Sequence, residues 1–164
     1  MNKRILISPN SFKECASAVT IAKLIGNNLS ALKDTELITK PISDGGDGFL
    51  EVCRFYFDGE IIKYSISRAY DDSTFDCPIL YCKNLNEIYI ESAEVFGLKV
   101  IPDLYRNPLR LSSKGLGELL KKIEYDVRLG KLNIRRCGPG RRCGRHGPQY
   151  QNDTYSWMTF ALSR

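Results

Sequence analysis

The chain has 164 residues, 43% of them apolar, a length and composition that suit one globular domain with an ordinary core. No run of eighteen apolar residues occurs, and no basic start leads into an apolar stretch with a small-residue cleavage site, so neither a membrane span nor a secretory leader is expected and the cytoplasm is the expected compartment. The net charge of +5 belongs to the end of the chain: Arg135 to Arg164 hold six arginines and one aspartate, which leaves eighteen basic and eighteen acidic residues in Met1 to Ile134 and no domain-wide case for nucleic-acid binding.

Arg4 to Ser8 is a compact apolar run (Ile5, Leu6, Ile7) stopped by Pro9, the pattern of a buried parallel strand. A polar loop, Asn10-Ser11-Phe12-Lys13, follows. Ser17 then caps a predicted helix whose inner face is Ala18, Ile21, Ala22, Ile25, Leu29 and Leu32, ending near Lys33-Asp34. Glu36 to Ile42 reads as the next strand, and Phe49, Val52, Cys53 and Tyr56 as the inner stripe of a second helix. This β-loop-α repeat opens a parallel α/β sheet.

At Gly59 the period changes. Ile62, Tyr64 and Ile66 alternate with polar residues, as do Phe75, Cys77, Ile79 and Tyr81, then Ile88 and Ile90, so three short strands form an antiparallel meander. The meander is either an edge of the main sheet or the start of a second, inserted domain. Ala93 to Gly97 reads as a helical turn with Gly97 as C-cap. Ser112 or Ser113 caps a helix with Leu116, Leu119, Leu120, Ile123 and Val127 inside, and Lys131 to Ile134 begins another strand. The expected architecture is therefore α/β: a parallel Rossmann-like sheet with helices on both faces, plus the meander. Residues 1–58 open the α/β domain, 59–104 form the antiparallel segment, 105–134 continue the α/β fold, and 135–164 are a basic Gly/Arg-rich tail expected to lack order.

Six cysteines (Cys15, Cys53, Cys77, Cys82, Cys137, Cys143) are expected as small buried apolar residues in a reducing compartment. In the tail, Cys137, Cys143 and His146 give three candidate zinc ligands without a paired CxxC, so a metal site is not expected there. The Arg/Gly composition of the tail could equally be that of an RNA-binding segment, in which arginines contact phosphates and stack on bases, but nucleic acid is not an expected partner.

Three stretches carry chemistry. Ser43-Asp44-Gly45-Gly46-Asp47-Gly48 is a strand-to-helix loop in which glycines permit a tight turn and close ligand approach, while two carboxylates point to a metal ion or a hydroxyl to be activated. The plainer reading is a turn whose aspartates cap the following helix. Ser11 and Lys13 lie on the preceding strand-to-helix loop; in a doubly wound sheet such loops share one crevice, where they can neutralise a carboxylate or phosphate, or Lys13 is simply solvated. Ser113, Gly115 and Gly117 open a helix that can hold an anion on free N–H groups or merely be capped, and Arg106, stiffened by Asn107-Pro108, can clamp a carboxylate or pair with a nearby acid.

Together these stretches resemble the bacterial glycerate kinase family, the two-domain type that uses ATP to phosphorylate D-glycerate. The similar segments are Ser8-Pro9-Asn10-Ser11-Phe12-Lys13-Glu14, Ile42-Ser43-Asp44-Gly45-Gly46-Asp47-Gly48, Glu91-Ser92-Ala93 with Gly97-Leu98, and Arg106-Asn107-Pro108-Leu109 leading to Ser113-Lys114-Gly115-Leu116-Gly117-Glu118-Leu119. They follow the family's order and spacing. Asn10 stands where the family usually has Asp, Asp47 where it has Glu, and the turn around Ala69 to Ser73 lacks a Gly-Pro-Leu-Gly type. The likeness covers Met1 to about Ile134 and stops, which a frameshift before Arg135 would explain; the downstream reading frame decides that.

The resemblance implies ATP and Mg2+ as cofactors and D-glycerate as substrate. It implies Asp44 as metal ligand or base toward the glycerate hydroxyl, aided by Asp47, with Lys13 beside them as catalytic cation. Ser11, Arg106, Gly45 and Gly46 would hold the substrate, and Ser113, Gly115 and Gly117 the phosphates. The alternative is a truncated remnant without catalysis that at most binds a small anion or, through its tail, nucleic acid.

Overall fold

The computed structural model describes residues 3–132 and the backbone of strand 160–162. In chain order the elements are β1 (Lys3–Ile7), α1 (Ala18–Leu29), β2 (Thr35–Thr39), α2 (Phe49–Tyr56), β3 (Glu60–Ser67), β4 (Thr74–Cys82), β5 (Glu87–Ile90), α3 (Ala93–Phe96), α4 (Lys114–Arg128) and β6 (Phe160–Leu162). They form two sheets: a parallel pair, β1–β2, and an antiparallel sheet in the order β3-β4-β5-β6.

The β1–loop–α1–β2–loop–α2 order follows the predicted α/β pattern. Ser17 is the N-cap of α1, its Oγ accepting the Thr20 N–H at 3.2 Å. The helix ends earlier than expected, at Leu29. There the Ser30 hydroxyl donates to the Asn27 carbonyl and the Asn28 amide to the Leu24 carbonyl, local bonds that compete with the next turn of helix. Only its first half is buried, through Ala18, Val19, Ile21 and Ala22; Ile25 and Leu32 of the expected inner face are exposed. β2 likewise stops at Thr39 rather than Ile42: the Lys40 and Ile42 N–H groups still reach the Ile7 and Pro9 carbonyls, but Pro9 has no N–H to return to the ladder.

The molecule stacks in layers. α1 meets α2 through Ala18, Val19 and Val52. α2 sets Leu50 and Cys53 on one face of the antiparallel sheet, against Leu80, Cys82 and Tyr89. The other face, with Ile66, Cys77, Ile79, Tyr81, Ile88 and Ile90, packs on Leu119 and Ile123 of α4 and Val95 of α3. Both faces of β4 are thus covered, which is why its second half is buried without alternation. Each large aliphatic side chain so buried contributes about 1.5–3 kcal/mol. α4 therefore packs on the antiparallel sheet, not on β1–β2.

Three expectations are corrected. Lys131 and Leu132 do not start a strand: Gly130 (φ 73) turns the chain at the end of α4, and the Lys131 and Leu132 N–H groups donate back to the Asp126 carbonyl. Ile134 lies outside the described residues. Cys15 is exposed, although Cys53, Cys77 and Cys82 are buried free thiols as expected; Cys137, Cys143 and His146 lie outside the described residues. The tail does supply one ordered element, Phe160–Leu162, whose apolar run pairs antiparallel with β5; the rest of the proposed out-of-frame segment is not described. Among the described residues no helix is long and apolar enough to cross a membrane.

Gly115 is fixed by packing. A Cβ there would lie 2.2 Å from the Ser67 carbonyl oxygen at the end of β3, a backbone atom that cannot swing aside. Gly115→Ala is expected to cost about 1–3 kcal/mol through overpacking, read as a lower urea midpoint with unchanged slope.

Candidate functional site

The parallel pairing of β1 with β2 brings two strand-to-helix loops side by side. The Lys40 N–H donates to the Ile7 carbonyl (2.8 Å) and the Ile42 N–H to the Pro9 carbonyl (3.0 Å), so the pairing continues past the strands and carries the Asn10–Lys13 and Ser43–Gly48 loops together. Within the first loop the Ser11 N–H donates to the Asn10 side chain, and an isolated bridge joins Phe12 to Ala16. Lys13 projects to solvent, and among the described residues its ammonium meets no acid.

The second loop is built from short local bonds. The Ser43 hydroxyl oxygen accepts the Gly45 N–H (3.1 Å) and Asp44 Oδ1 accepts the Gly46 N–H (3.1 Å). Gly45 (φ 91) and Gly48 (φ 83) occupy the left-handed region that only glycine enters without strain. Asp44 and Asp47 are both exposed, while Gly45 is buried. Neither aspartate caps α2. The N-cap position belongs to Gly48, which has no side chain to offer.

The cap comes from a distant part of the chain. Glu91, immediately after β5, is 2% exposed. Its Oε1 accepts the Gly48 N–H at 2.9 Å and its Oε2 the Leu50 N–H at 3.0 Å, so one buried carboxylate satisfies two of the orphan donors at the start of α2 and meets the positive end of its dipole. Burial pushes the Glu91 carboxyl above its ordinary range, the two backbone donors pull it down, and the Glu94 and Asp47 carboxylates push it up further. Sequence reading quoted Glu91 within a similar segment but gave it no role. The available signal was a charged residue directly after the apolar Ile88 and Ile90, opposite a helix entry without a capping side chain.

Arg106 and the α4 entry stand elsewhere. Each nitrogen of the Arg106 guanidinium has a partner within its own loop, the Leu98 carbonyl (2.8 Å), the Ile101 carbonyl (3.0 Å) and Asp103 (2.7 Å), so it ties that loop together. Tyr105 stacks on Tyr70, and the Ser112 N–H donates to the Ala69 carbonyl, which fixes this region to the tip of the β3–β4 hairpin. Glu118 accepts both the Ser67 N–H (2.8 Å) and the Ser67 hydroxyl (3.0 Å). Ser113 is exposed and makes no capping bond; Gly117 is exposed with open space around it. In register, Ser67 faces Thr74 and Tyr89 faces Leu80, with Glu91 two residues beyond Tyr89. Four residues of strand, roughly 13 Å, separate the two clusters along the sheet.

Three hydrogen-bonded carboxylates titrate in two opposite directions. Glu118, held below its ordinary range by Ser67, stabilises the fold above the usual carboxylate pKa and loses that contribution as pH falls through its lowered value. Asp126, lowered by Tyr64 and Lys131, behaves the same way. Glu91, raised, takes up its proton in the folded chain first, so acidification through its raised value adds stability. Glu91→Gln removes that opposing gain. Its stability, referred to neutral pH, is expected to fall more steeply on acidification than that of the unaltered chain, as followed by circular dichroism in urea at stepped pH.

Comparison with known proteins supplies the family. The glycerate kinase family model matches residues 5–128. A glycerate kinase of Neisseria meningitidis serogroup B is 29% identical over 121 residues, covering 73% of this chain and 32% of the relative. A glycerate 2-kinase of Escherichia coli K12 is 28% identical over 130 residues, covering 71% and 31% respectively. A solved structure of a glycerate kinase 2 from Salmonella typhimurium LT2 superposes with a TM-score of 0.60 at 26% identity, over 76% of this chain and 33% of that one. The chain thus spans about a third of the length of these relatives. With the matched segment running from β1 to the last turn of α4 and enclosing both loops, this chain belongs to the glycerate kinase family.

Proposed function

We propose that the chain carries the glycerate-facing part of an ATP-dependent glycerate kinase, with the Ser43–Gly48 loop as its centre. The observation that supports this most is the loop itself: a glycine turn pinned from beneath by Glu91 presents Asp44 and Asp47 to solvent beside Ser11 and Lys13.

Phosphoryl transfer asks a protein for positioning and electrostatics more than for covalent chemistry. In this reading Asp44 takes the proton of the attacking glycerate hydroxyl as its oxygen bonds to the γ-phosphorus and ADP departs. Lys13 neutralises the glycerate carboxylate or the transferring phosphoryl oxygens, and Ser11 donates to the same group. Gly45 and Gly46 keep the loop free of side chains where the ligand approaches. Arg106 is left out, since its guanidinium is spent on its own loop. At the α4 entry Gly115 is closed off by β3, and the exposed Ser113 is the residue assigned to nucleotide phosphate, with Gly117 giving clearance.

Mg2+ fits the donors present. The ion typically takes one or two carboxylates and completes its shell with water and phosphate oxygens. Asp44 and Asp47 are two exposed carboxylates on one loop, and among the described residues no group of three or more metal-ligating side chains gathers to cage an ion. Asp44, with Asp47 beside it, would hold Mg2+, which when bound neutralises charge on the phosphates.

A coupled assay for ATP-dependent phosphorylation of D-glycerate tests the reading. Mg2+-dependent turnover is the expected result; none with folded protein sinks it. A second reading is binding of a small anion at these loops without turnover. Saturable glycerate or phosphate binding in that same preparation, without product, would select it.

A further inference from the structure

We propose that Arg68, with Tyr70, Phe75 and Tyr105, forms a binding site for a nucleoside phosphate at the tip of the β3–β4 hairpin, the guanidinium taking the phosphate and the exposed Tyr105 ring the base. The inference deepens the proposed function by giving the nucleotide a place, and it rests on that reading only for the choice of adenine nucleotides as ligands.

Arg68 directly follows β3. Its backbone N–H donates to the Ser73 carbonyl (2.9 Å) and closes the hairpin, while its side chain lies over two rings, with Cζ 5.0 Å from the Phe75 centroid and 5.9 Å from that of Tyr70. Attraction to the ring faces holds the guanidinium there. Half-buried as it is, Arg68 makes no ion pair and no side-chain hydrogen bond among the described residues, and its side-chain N–H groups reach solvent. The neighbouring acids do not meet it. Asp71 accepts the Ser73 N–H (3.0 Å), Glu118 accepts from Ser67, Asp103 is paired with Arg106, and exposed Asp72 makes no bond to Arg68. A guanidinium so placed presents a planar fork of unspent donors, which phosphate oxygens match in geometry and charge.

The rings narrow the ligand. Tyr105 stacks on Tyr70 with centroids 5.0 Å apart and planes 24° from parallel, yet stays 43% exposed, so a third planar ring can extend the stack. Inorganic phosphate or a small carboxylic acid has nothing to place on Tyr105. A nucleotide joins an anion to a planar ring and uses both parts of the cluster. The Ser112 N–H, bonded to the Ala69 carbonyl (2.8 Å), holds the α4 entry against this turn and brings exposed Ser113 next to it.

The test is calorimetric titration of the full chain with ADP, with pyrophosphate and with adenosine. ADP is expected to bind saturably and more tightly than either of its parts. Arg68→Gln should weaken ADP and pyrophosphate about tenfold or more, through loss of a charge-assisted pair. Tyr105→Ala should weaken ADP and adenosine about tenfold and leave pyrophosphate unchanged. Arg128→Gln, which removes an arginine paired with Glu124 at the far end of α4, leaves all three unchanged. Circular dichroism checks that each variant folds, and amide shifts in the unaltered chain on adding ADP are expected at Arg68 to Ser73. Absence of ADP binding, binding indifferent to both Arg68→Gln and Tyr105→Ala, or shifts that bypass this turn would overturn the inference. ADP held here by a chain that never phosphorylates glycerate would uphold it and sink only the proposed function; glycerate turnover with an unchanged KM for ATP in Arg68→Gln would do the reverse.

Discussion

Replacing Glu91 by alanine is expected to cost about 2–4 kcal/mol and to release the entry of α2. The estimate starts from two N–H groups, on half-buried Gly48 and buried Leu50, that lose their acceptor; each unsatisfied buried donor costs about 1–3 kcal/mol. Relief from burying a carboxylate offsets part of that sum. The helix cannot recap itself, since Gly48 has no side chain and the serine and aspartate upstream are engaged with Gly45 and Gly46. Urea denaturation gives the stability, and hydrogen exchange at Gly48 and Leu50 gives the local consequence. A change below about 0.5 kcal/mol, the range of ordinary surface substitutions, would contradict the anchoring role.

The second large effect separates chemistry from structure. Asp44→Asn keeps a side-chain oxygen for the Gly46 N–H, so the loop retains its turn and stability should move by less than about 0.5 kcal/mol. What it loses is the basic carboxylate. If Asp44 accepts the glycerate proton or holds Mg2+, turnover in the coupled assay falls on the order of 10²–10⁴-fold. Lost activity accompanied by a fall in stability would point to loop collapse; retained activity would remove Asp44 from the chemistry.

Much of the fold was legible because local pattern and tertiary demand agreed. Ile5, Leu6 and Ile7 before Pro9, the Ser17 cap, and the alternation from Ile62 to Ile90 each named their element. The failures have identifiable causes. Helix α1 was read too long because apolar spacing continues to Leu32 while Asn28 and Ser30 turn inward on the backbone. A strand was read at Lys131 because its apolar neighbours resemble one, though the left-handed Gly130 returns the N–H groups to α4. Packing of α4 on the antiparallel sheet depends on Gly115 meeting Ser67, a contact between residues far apart in sequence.

The candidate site was legible in half. Spacing marked Asp44, Asp47, Ser11 and Lys13, and parallel pairing does bring their loops together. Spacing also marked Arg106 and Gly115, whose chemistry turns out to be spent on local structure. Glu91 escaped because a carboxylate at the end of a strand gives no hint of the helix entry it serves 41 residues away at Leu50.

The most direct test of the central claim is amide chemical-shift mapping as D-glycerate and Mg2+-ATP are added to the isotope-labelled chain. Saturable shifts at Ser11 to Lys13 and Ser43 to Gly48, diminished in Asp44→Asn, are the predicted result. Shifts confined to other surfaces, or none at these two loops, would contradict it.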